Sequence, residues 1–139
     1  MDADFVIDNS VVMTWAFQDE ANPYADAVLD ALSEISAIVP AIWPLEVVNV
    51  LLVAERRKRL KQADSVRFIT LLSQLPIYVE RDWPDSRMEE LLGVGRTNSL
   101  SSYDASYLYL AMRKGLPIAT LDQKLIAAAQ RVDVPLLTL

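Results

Sequence analysis

The sequence has no histidine and no cysteine, and only three of its 139 residues are glycine. Without histidine or cysteine, a serine–histidine triad, a cysteine nucleophile, imidazole acid–base chemistry, the usual zinc sites and disulfides are all excluded. Three glycines also exclude a glycine-rich phosphate loop or dinucleotide-binding fingerprint. Any chemistry must therefore rest on carboxylates, hydroxyls, amines or a cofactor.

Long apolar runs are missing as well. No stretch approaches the roughly 18 uninterrupted apolar residues of a membrane span, and the acidic N-terminus leads straight into a predicted strand, so we expect no membrane segment and no secretory signal. The absence of cysteine is compatible with a reducing cytoplasm, where we expect the protein to act. The length and the 53% hydrophobic content predict a single domain over residues 1–139.

The net charge of −6 counts mildly against a nucleic-acid partner, because phosphates favour a basic surface. The objection weakens if several carboxylates are clustered in one site. Such a cluster would supply much of the excess negative charge, and a bound metal ion would offset it.

Short apolar runs alternate with helical patterns along the chain, which predicts an α/β fold with a parallel sheet. We expect strands over residues 4–7, 37–39, 77–79, 117–121 and 135–138. We expect helices over residues 11–17, 23–34, 44–57, 65–75, 84–92, 101–115 and 123–131, with a polar loop over 93–100. The helix over 44–57 is apolar around nearly its whole circumference, so it is predicted to be buried, and Asp64 is predicted to cap the helix after it.

Four acidic residues lie where predicted strands end or predicted helices begin. Asp8 and Asp122 follow strands, and Glu46 and Asp104 lie in first helical turns. In a parallel sheet these points share one edge, so we expect the four to meet at one rim. Asp104 shares the apolar stripe of its helix, and the helix of Glu46 has almost no polar face.

An inward-facing carboxylate needs a partner, because burying one alone costs several kcal/mol or forces it to become neutral. A metal ion is a suitable partner, and carboxylate oxygens are hard ligands suited to Mg²⁺ or Mn²⁺.

Each acid alone also has a structural interpretation. For Asp8, a structural role as a turn residue or a helix cap is as well supported as a functional one. Glu46 alone is explained as a charge that complements a helix dipole. Ser101-x-x-Asp104 matches a capping box, and Asp122 suits the N-cap of the helix that follows it. The functional interpretation therefore depends on the conjunction of all four.

With these residues in place, the chain resembles the PIN-domain ribonucleases, in particular the VapC-type toxins of toxin–antitoxin pairs. The resemblance is carried by four segments in the family's order: Val6-Ile7-Asp8-Asn9-Ser10-Val11, Pro44-Leu45-Glu46-Val47-Val48-Asn49-Val50-Leu51, Ser102-Tyr103-Asp104-Ala105-Ser106-Tyr107-Leu108 and Leu116-Pro117-Ile118-Ala119-Thr120-Leu121-Asp122. It implies a three-layer α/β/α fold with a central, mainly parallel sheet, and Mg²⁺- or Mn²⁺-dependent endonucleolytic cleavage of RNA. It also implies a homodimer and inhibition by a cognate antitoxin.

On this pattern, the acidic quartet of the family is matched by Asp8, Glu46, Asp104 and Asp122. We expect the first three to be the main metal-site acids and Asp122 to be a second-site or water-mediated ligand. Ser10 matches a hydroxyl position that is often beside the quartet. The chain departs from the pattern at two positions. Asn9 replaces a small residue or threonine, and Lys124 lies where some members carry a further acidic or amide residue.

RNA affinity would come from local cations. The alternative interpretation is that these cations are only solvated charges at the ends of helices. The candidates are Arg96, the Arg56–Lys61 cluster, Arg113 and Lys114. Three aromatic residues flank the predicted rim and are candidates for base stacking, although core packing is the alternative for Trp43. They are Trp15, Trp43 and Tyr103.

Other functional classes are less well matched. A haloacid-dehalogenase-like phosphatase needs a second aspartate two residues after the first, and Ser10 occupies that position. A receiver-like phosphoacceptor domain expects paired acids after the first strand, which Asp8-Asn9 does not provide. The alternative that remains is a non-enzymatic interaction module that keeps the fold without activity.

Overall fold

The centre of the computed structural model, which describes residues 2–81 and 86–139, is a sheet of parallel strands. Within those residues the sheet has four strands: β1 (Phe5–Ile7), β2 (Ala37–Val39), β3 (Ile77–Val79) and β4 (Ile118–Ala119). Their order across the sheet is β3-β2-β1-β4, and each neighbouring pair is parallel. All three residues of β1 are fully buried, as expected for a central strand covered on both faces.

Helices connect the strands and give the three-layer α/β/α arrangement, so the predicted fold class is confirmed. They are α1 (Asn9–Val12), α2 (Pro23–Ala31), α3 (Trp43–Arg56), α4 (Gln62–Ser73), α5 (Ser86–Asn98), α6 (Ser102–Lys114) and α7 (Gln123–Arg131). Two 3₁₀ turns, Met13–Ala16 and Gln18–Glu20, continue the chain after α1. None of the helices in the described residues is both long and apolar enough to cross a membrane.

Helix α6 is the central helix of the core. Every residue from Ala105 to Ala111 is buried, and the helix packs against β1, α5 and α7. Ser101 caps its start by accepting a hydrogen bond from the Asp104 backbone N–H, and Gly115 ends it in the left-handed region at φ 64°. Both ends agree with the sequence-based prediction, and the Ser101 cap fixes the first turn, where Asp104 lies.

Two glycines give opposite predictions for stability. At Gly115 a Cβ would meet nothing within 4 Å, but the positive φ penalises any L side chain, so Gly115→Ala should destabilise the fold by about 1–2 kcal/mol. At Gly93, inside α5, a Cβ also meets nothing within 4 Å, so Gly93→Ala should stabilise it by about 0.5–1 kcal/mol. Urea unfolding measures both changes, and shifts of the same sign in the two variants would contradict this account.

The predicted loop over 93–100 is wrong, because α5 continues to Asn98. Glycines and polar residues suggested a loop, but Gly95 serves close packing instead. A Cβ there would lie 3.2 Å from the Leu100 carbonyl and 3.7 Å from the Ala105 side chain. The Asn98 side chain donates to the Val94 carbonyl and supports the last turn. The predicted helix over 84–92 begins at Ser86 in the structure, and its residues 84 and 85 lie outside the described residues.

Other boundaries also differ from the predictions. The strand expected over 135–138 is only a bridge between Leu136 and Ile118, and β4 ends at Ala119 instead of residue 121. Asp64 lies inside α4 and not ahead of it, because the helix begins at Gln62. Its carboxylate accepts from the Lys61 backbone N–H and so still stabilises the helix start.

Helix α3 is not buried around its circumference, so that prediction is wrong. Trp43, Val47, Leu51 and Ala54 face the core. On the other side, Leu45, Val48 and Leu52 are 67%, 45% and 42% exposed. These three residues form an apolar stripe, which we call the α3 stripe, on the outside of the fold.

Candidate acidic site at the carboxyl ends of the strands

The first acid of the site, Asp8, directly follows β1 and is almost completely buried, at 5% exposure. Its backbone N–H donates to the Ala119 carbonyl at the end of β4. Two hydroxyls, from Ser10 and Thr120, donate to the same carboxylate oxygen, Oδ2, over 2.6 and 2.8 Å. Burial raises the pKa of Asp8, and these hydrogen bonds offset part of that rise.

The two hydroxyls are themselves fixed by backbone groups. Ser10 Oγ accepts from the Leu121 N–H over 2.9 Å, and Thr120 Oγ1 accepts from the Asp122 N–H over 3.0 Å. Each hydroxyl therefore donates once and accepts once, which ties the turn after β1 to the turn after β4. Ser10 was singled out by the sequence, but Thr120 was not. Its signal was a hydroxyl at the end of an apolar run, two residues before Asp122.

Glu46 lies in the first turn of α3, half-buried, and bonds to α6. The hydroxyl of Tyr107 donates to its Oε1 over 2.5 Å. Burial raises the pKa of Glu46, as does repulsion from the charges of Asp8 and Asp104, while the Tyr107 hydrogen bond lowers it. Burial and the contact with Glu46 raise the pKa of Tyr107, so its hydroxyl stays protonated and is the donor.

Asp104 lies in the first turn of α6 and is partly exposed. Burial raises its pKa, and so does repulsion from Asp8 and Asp122, whereas the charge of Lys124 lowers it. Asp8, Glu46 and Asp104 are thus close enough to influence one another electrostatically, and Asp122 acts on Asp104. The fold brings the four predicted acids to one rim, although their role as metal ligands stays a prediction.

Asp122 also performs the structural task that was its alternative interpretation. It is the N-cap of α7, and its Oδ1 accepts from the backbone N–H groups of Lys124 and Leu125 over 2.9 and 3.4 Å. One oxygen of Asp122 is thus engaged, as are one oxygen of Asp8 and one of Glu46, but the partners of Asp122 are backbone groups of the helix that it caps.

The four carboxylates match a divalent cation in donor type and charge. Their oxygens are the ligands that Mg²⁺ and Mn²⁺ prefer, and a bound cation would relieve the repulsion that raises the pKa values of Glu46 and Asp104. Among residues 2–81 and 86–139, however, no three acidic side chains form a group already arranged around a common ion. Ligation would therefore use side-chain adjustment or bridging waters, which Mg²⁺ usually retains.

The predicted RNA-binding cations separate into two groups. Arg113 is committed to the fold, because it pairs with Glu80, whose side chain is 9% exposed, and lies over the Tyr109 ring, 4.7 Å from its centroid. Arg59 pairs with Asp19 and Glu20 at the far end of α3. Arg96 is exposed in the last turn of α5, ahead of the start of α6. Lys124 was not among the predicted cations, but it is exposed in the first turn of α7 and its charge lowers the pKa of Asp104.

The predicted aromatic residues also differ in position. Trp43 is buried in the core, 8% exposed, as its alternative interpretation anticipated. Trp15 is half-buried and its indole N–H donates to the Ala25 carbonyl. Tyr103 is 56% exposed, directly before Asp104. It lines a hollow of about 340 Å³ with Pro40, Ile42 and Leu45, beside the acidic rim.

A larger cleft lies elsewhere. It measures about 910 Å³ and is lined by residues of the 3₁₀ turns, α2 and α4, among them Phe17, Leu29 and Phe68. None of the four acids of the rim lines it in the described part of the chain, so cleft size does not identify the acidic site.

The structure is thus a parallel α/β/α domain whose carboxylates gather at the carboxyl ends of the strands, the edge where sheets of this class bind their ligands. The PIN domain family model matches residues 5–131. The chain belongs to the PIN domain family, as its four motif segments predicted. This membership sets aside the phosphatase and receiver folds.

Two solved structures agree with that assignment. PAE2754 from Pyrobaculum aerophilum is 26% identical over 92% of this chain and 87% of its own, with a TM-score of 0.70. FitAcB from Neisseria gonorrhoeae is 18% identical over 96% of both chains, with a TM-score of 0.62, and shows likeness of fold. No curated protein matches this chain in sequence.

Proposed function

We propose that this protein is a Mg²⁺- or Mn²⁺-dependent endoribonuclease and the toxin of a toxin–antitoxin pair that acts in the cytoplasm. The observation that carries the proposal is the convergence of Asp8, Glu46 and Asp104 at one rim of a PIN domain. Asp8 follows β1, Asp104 lies in the first turn of α6, and Glu46 bonds to that same helix. Separate structural roles for three isolated acids would not require them to adjoin one another.

Asp8, Glu46 and Asp104 would hold the metal, with Asp122 contributing through water or at a second site. When bound, the metal supplies an activated water and Lewis-acid stabilisation of the phosphoryl and leaving oxygens. The chain itself holds its ligands in place. The Ser10 and Thr120 hydroxyls fix Asp8, and Tyr107 holds Glu46. Because the chain has no histidine or cysteine, neither an imidazole base nor a thiolate nucleophile takes part.

RNA would approach along Lys124, whose charge acts on Asp104, and along the exposed Arg96 at the end of α5. The Arg56–Lys61 cluster begins ten residues beyond Glu46, which is about 15 Å along the axis of α3 and thus toward the opposite edge of the sheet. The exposed Tyr103, with the hollow beside it, is suited to receive a base next to the cleaved phosphate.

The homodimer remains part of the proposal. Its support here is the α3 stripe, whose three large apolar side chains are exposed on one helix. Inhibition by a cognate antitoxin follows from the family resemblance, and an acidic rim favours a partner that presents basic side chains.

The test is cleavage of total RNA with Mg²⁺, with Mn²⁺ or with EDTA, followed by mapping of the product ends. Attack by water should leave 5′-phosphate and 3′-hydroxyl ends, and EDTA should stop the reaction. Ends bearing 2′,3′-cyclic phosphate would contradict this mechanism. RNA binding without cleavage in either metal would instead support the catalytically silent interaction module.

A further inference from the structure

The hydroxyl of Tyr107 is a polar group placed where packing alone would not require one. The side chain is fully buried in the middle of α6, among residues that are buried on all sides of the helix. A phenylalanine would fill nearly the same volume without a hydroxyl to satisfy. The hydroxyl is satisfied by one acceptor, Oε1 of Glu46, 2.5 Å away on a different helix.

Glu46 depends on this contact for its orientation. In the described residues its carboxylate makes no ion pair with a lysine or arginine, and its charge neighbours, Asp8 and Asp104, repel it. A glutamate has three side-chain torsions, so an unrestrained carboxylate in this field would turn away from the other acids. The bond to Tyr107 opposes that movement.

We propose that Tyr107 is a positioning residue, whose hydroxyl holds the Glu46 carboxylate in the orientation that binds the divalent cation. This inference rests on the proposed metal-dependent function. Groups that orient metal ligands typically contribute 10–100-fold to metal affinity. Tyr107 lies one helical turn after Asp104, so the same turn of α6 supplies one acid and fixes another.

The chain offers a matched control two residues further along α6. Tyr109 also donates its hydroxyl to a glutamate, Glu90 of α5, but this pair lies outside the acidic rim. Residues two apart on a helix do not share a face. A purely structural role for such tyrosine–glutamate bonds predicts the same behaviour for both, whereas positioning predicts an effect on metal binding at Tyr107 alone.

The experiment measures Mn²⁺ affinity by calorimetry for the full-length wild type, Tyr107→Phe and Tyr109→Phe. Tyr107→Phe should weaken Mn²⁺ binding roughly 10–100-fold, and Tyr109→Phe less than about twofold. RNA cleavage by Tyr107→Phe should recover toward the wild-type rate as Mn²⁺ is raised, because the lost interaction governs occupancy. Equal affinities for wild type and Tyr107→Phe would overturn the inference.

A double-mutant cycle tests whether Tyr107 acts through Glu46. In a Glu46→Gln background, adding Tyr107→Phe should change Mn²⁺ affinity by less than about twofold, since the carboxylate it positions is already gone. A full 10–100-fold loss in that background would show that Tyr107 acts independently of Glu46 and would overturn the proposal.

A further measurement keeps the inference testable should Tyr107→Phe fail to fold. A 3-fluorotyrosine placed at position 107 retains the hydroxyl, and its ¹⁹F resonance should move when Mg²⁺ is added, whereas the same label at position 109 should not respond. No movement at position 107 counts against the inference. If the wild-type protein binds no Mn²⁺, both the proposed function and this inference are wrong. If wild type and Tyr107→Phe bind Mn²⁺ equally well, only the inference is wrong.

Discussion

Replacing Asp104 with asparagine is expected to abolish RNA cleavage while leaving the fold intact. The change keeps the size of the side chain but removes the charge that faces Asp8 and Asp122. Metal-assisted stabilisation of a phosphoryl transition state is worth several kcal/mol, and each 1.4 kcal/mol or so is tenfold in rate. Loss of one ligand should therefore slow cleavage on the order of a thousandfold, measured as initial rates on one RNA with saturating Mn²⁺.

The fold should survive this substitution because the hydrogen bond that caps α6 is made by the Asp104 backbone, and an asparagine side chain can still bond to the Ser101 hydroxyl as the aspartate does. Ser101 Oγ accepts from the Asp104 backbone N–H, which asparagine retains. In EDTA the variant should be at least as stable as wild type, since one repelling charge has gone. Asp30→Asn, an exposed acid on α2, serves as the matched control and should cleave normally. Unfolding of Asp104→Asn would mean that the carboxylate is chiefly structural.

Stability in EDTA is expected to fall as the pH rises above the ordinary carboxyl pKa values of 3.8 and 4.5, and to recover when Mn²⁺ is added. The pKa values of Asp8, Glu46 and Asp104 are all raised above their ordinary values of 3.8, 4.5 and 3.8, first by burial. Between the ordinary and the raised pKa, the folded protein binds more protons than the unfolded chain. Raising the pH through that window therefore favours unfolding.

Other groups also titrate in this range, so the measurement compares how the free energy of unfolding changes with pH in wild type and in Asp104→Asn. The free energy of unfolding of wild type should decline more steeply with pH than that of the variant, in thermal or urea melts without metal. At neutral pH, Mn²⁺ at about 100 times its dissociation constant should restore about 2.7 kcal/mol to wild type. Parallel pH curves, or equal stabilisation of both proteins by Mn²⁺, would contradict the idea that these carboxylates share one cation site.

The strands were predictable because each is a short apolar run bounded by turn residues. A strand is the natural interpretation of three such runs, Phe5–Ile7, Ala37–Val39 and Ile77–Val79. Because the three strands are parallel, the residues that follow them lie at the same edge of the sheet. This is why Asp8 and the first turns of α3 and α6 were placed at one rim without coordinates.

The rest depended on contacts between distant residues. Gly95 suggested a loop because glycine lowers helix propensity, but only the fold shows that the Leu100 carbonyl approaches this position closely enough to favour a residue without a side chain. Likewise, Thr120 and Tyr107 bond to Asp8 and Glu46 across 112 and 61 positions. No local pattern encodes such partners.

The misjudged exposure of α3 has a different cause. Leu45, Val48 and Leu52 are as apolar as the residues on the buried side of the helix. Hydrophobicity alone does not distinguish a surface covered by the same chain from one that a second molecule would cover.

The contact between the Ser10 and Thr120 hydroxyls determines when, during synthesis of the chain, the acidic rim can be completed. These hydroxyls are 110 positions apart, and the strand that brings them together, β4, comes late in the chain. While β4 is still inside the ribosome, Asp8 has the Ser10 hydroxyl but lacks that of Thr120, and such long-range contacts form late. The ribosome must therefore translate past Thr120 before the acidic rim, and any chemistry that depends on it, can be complete.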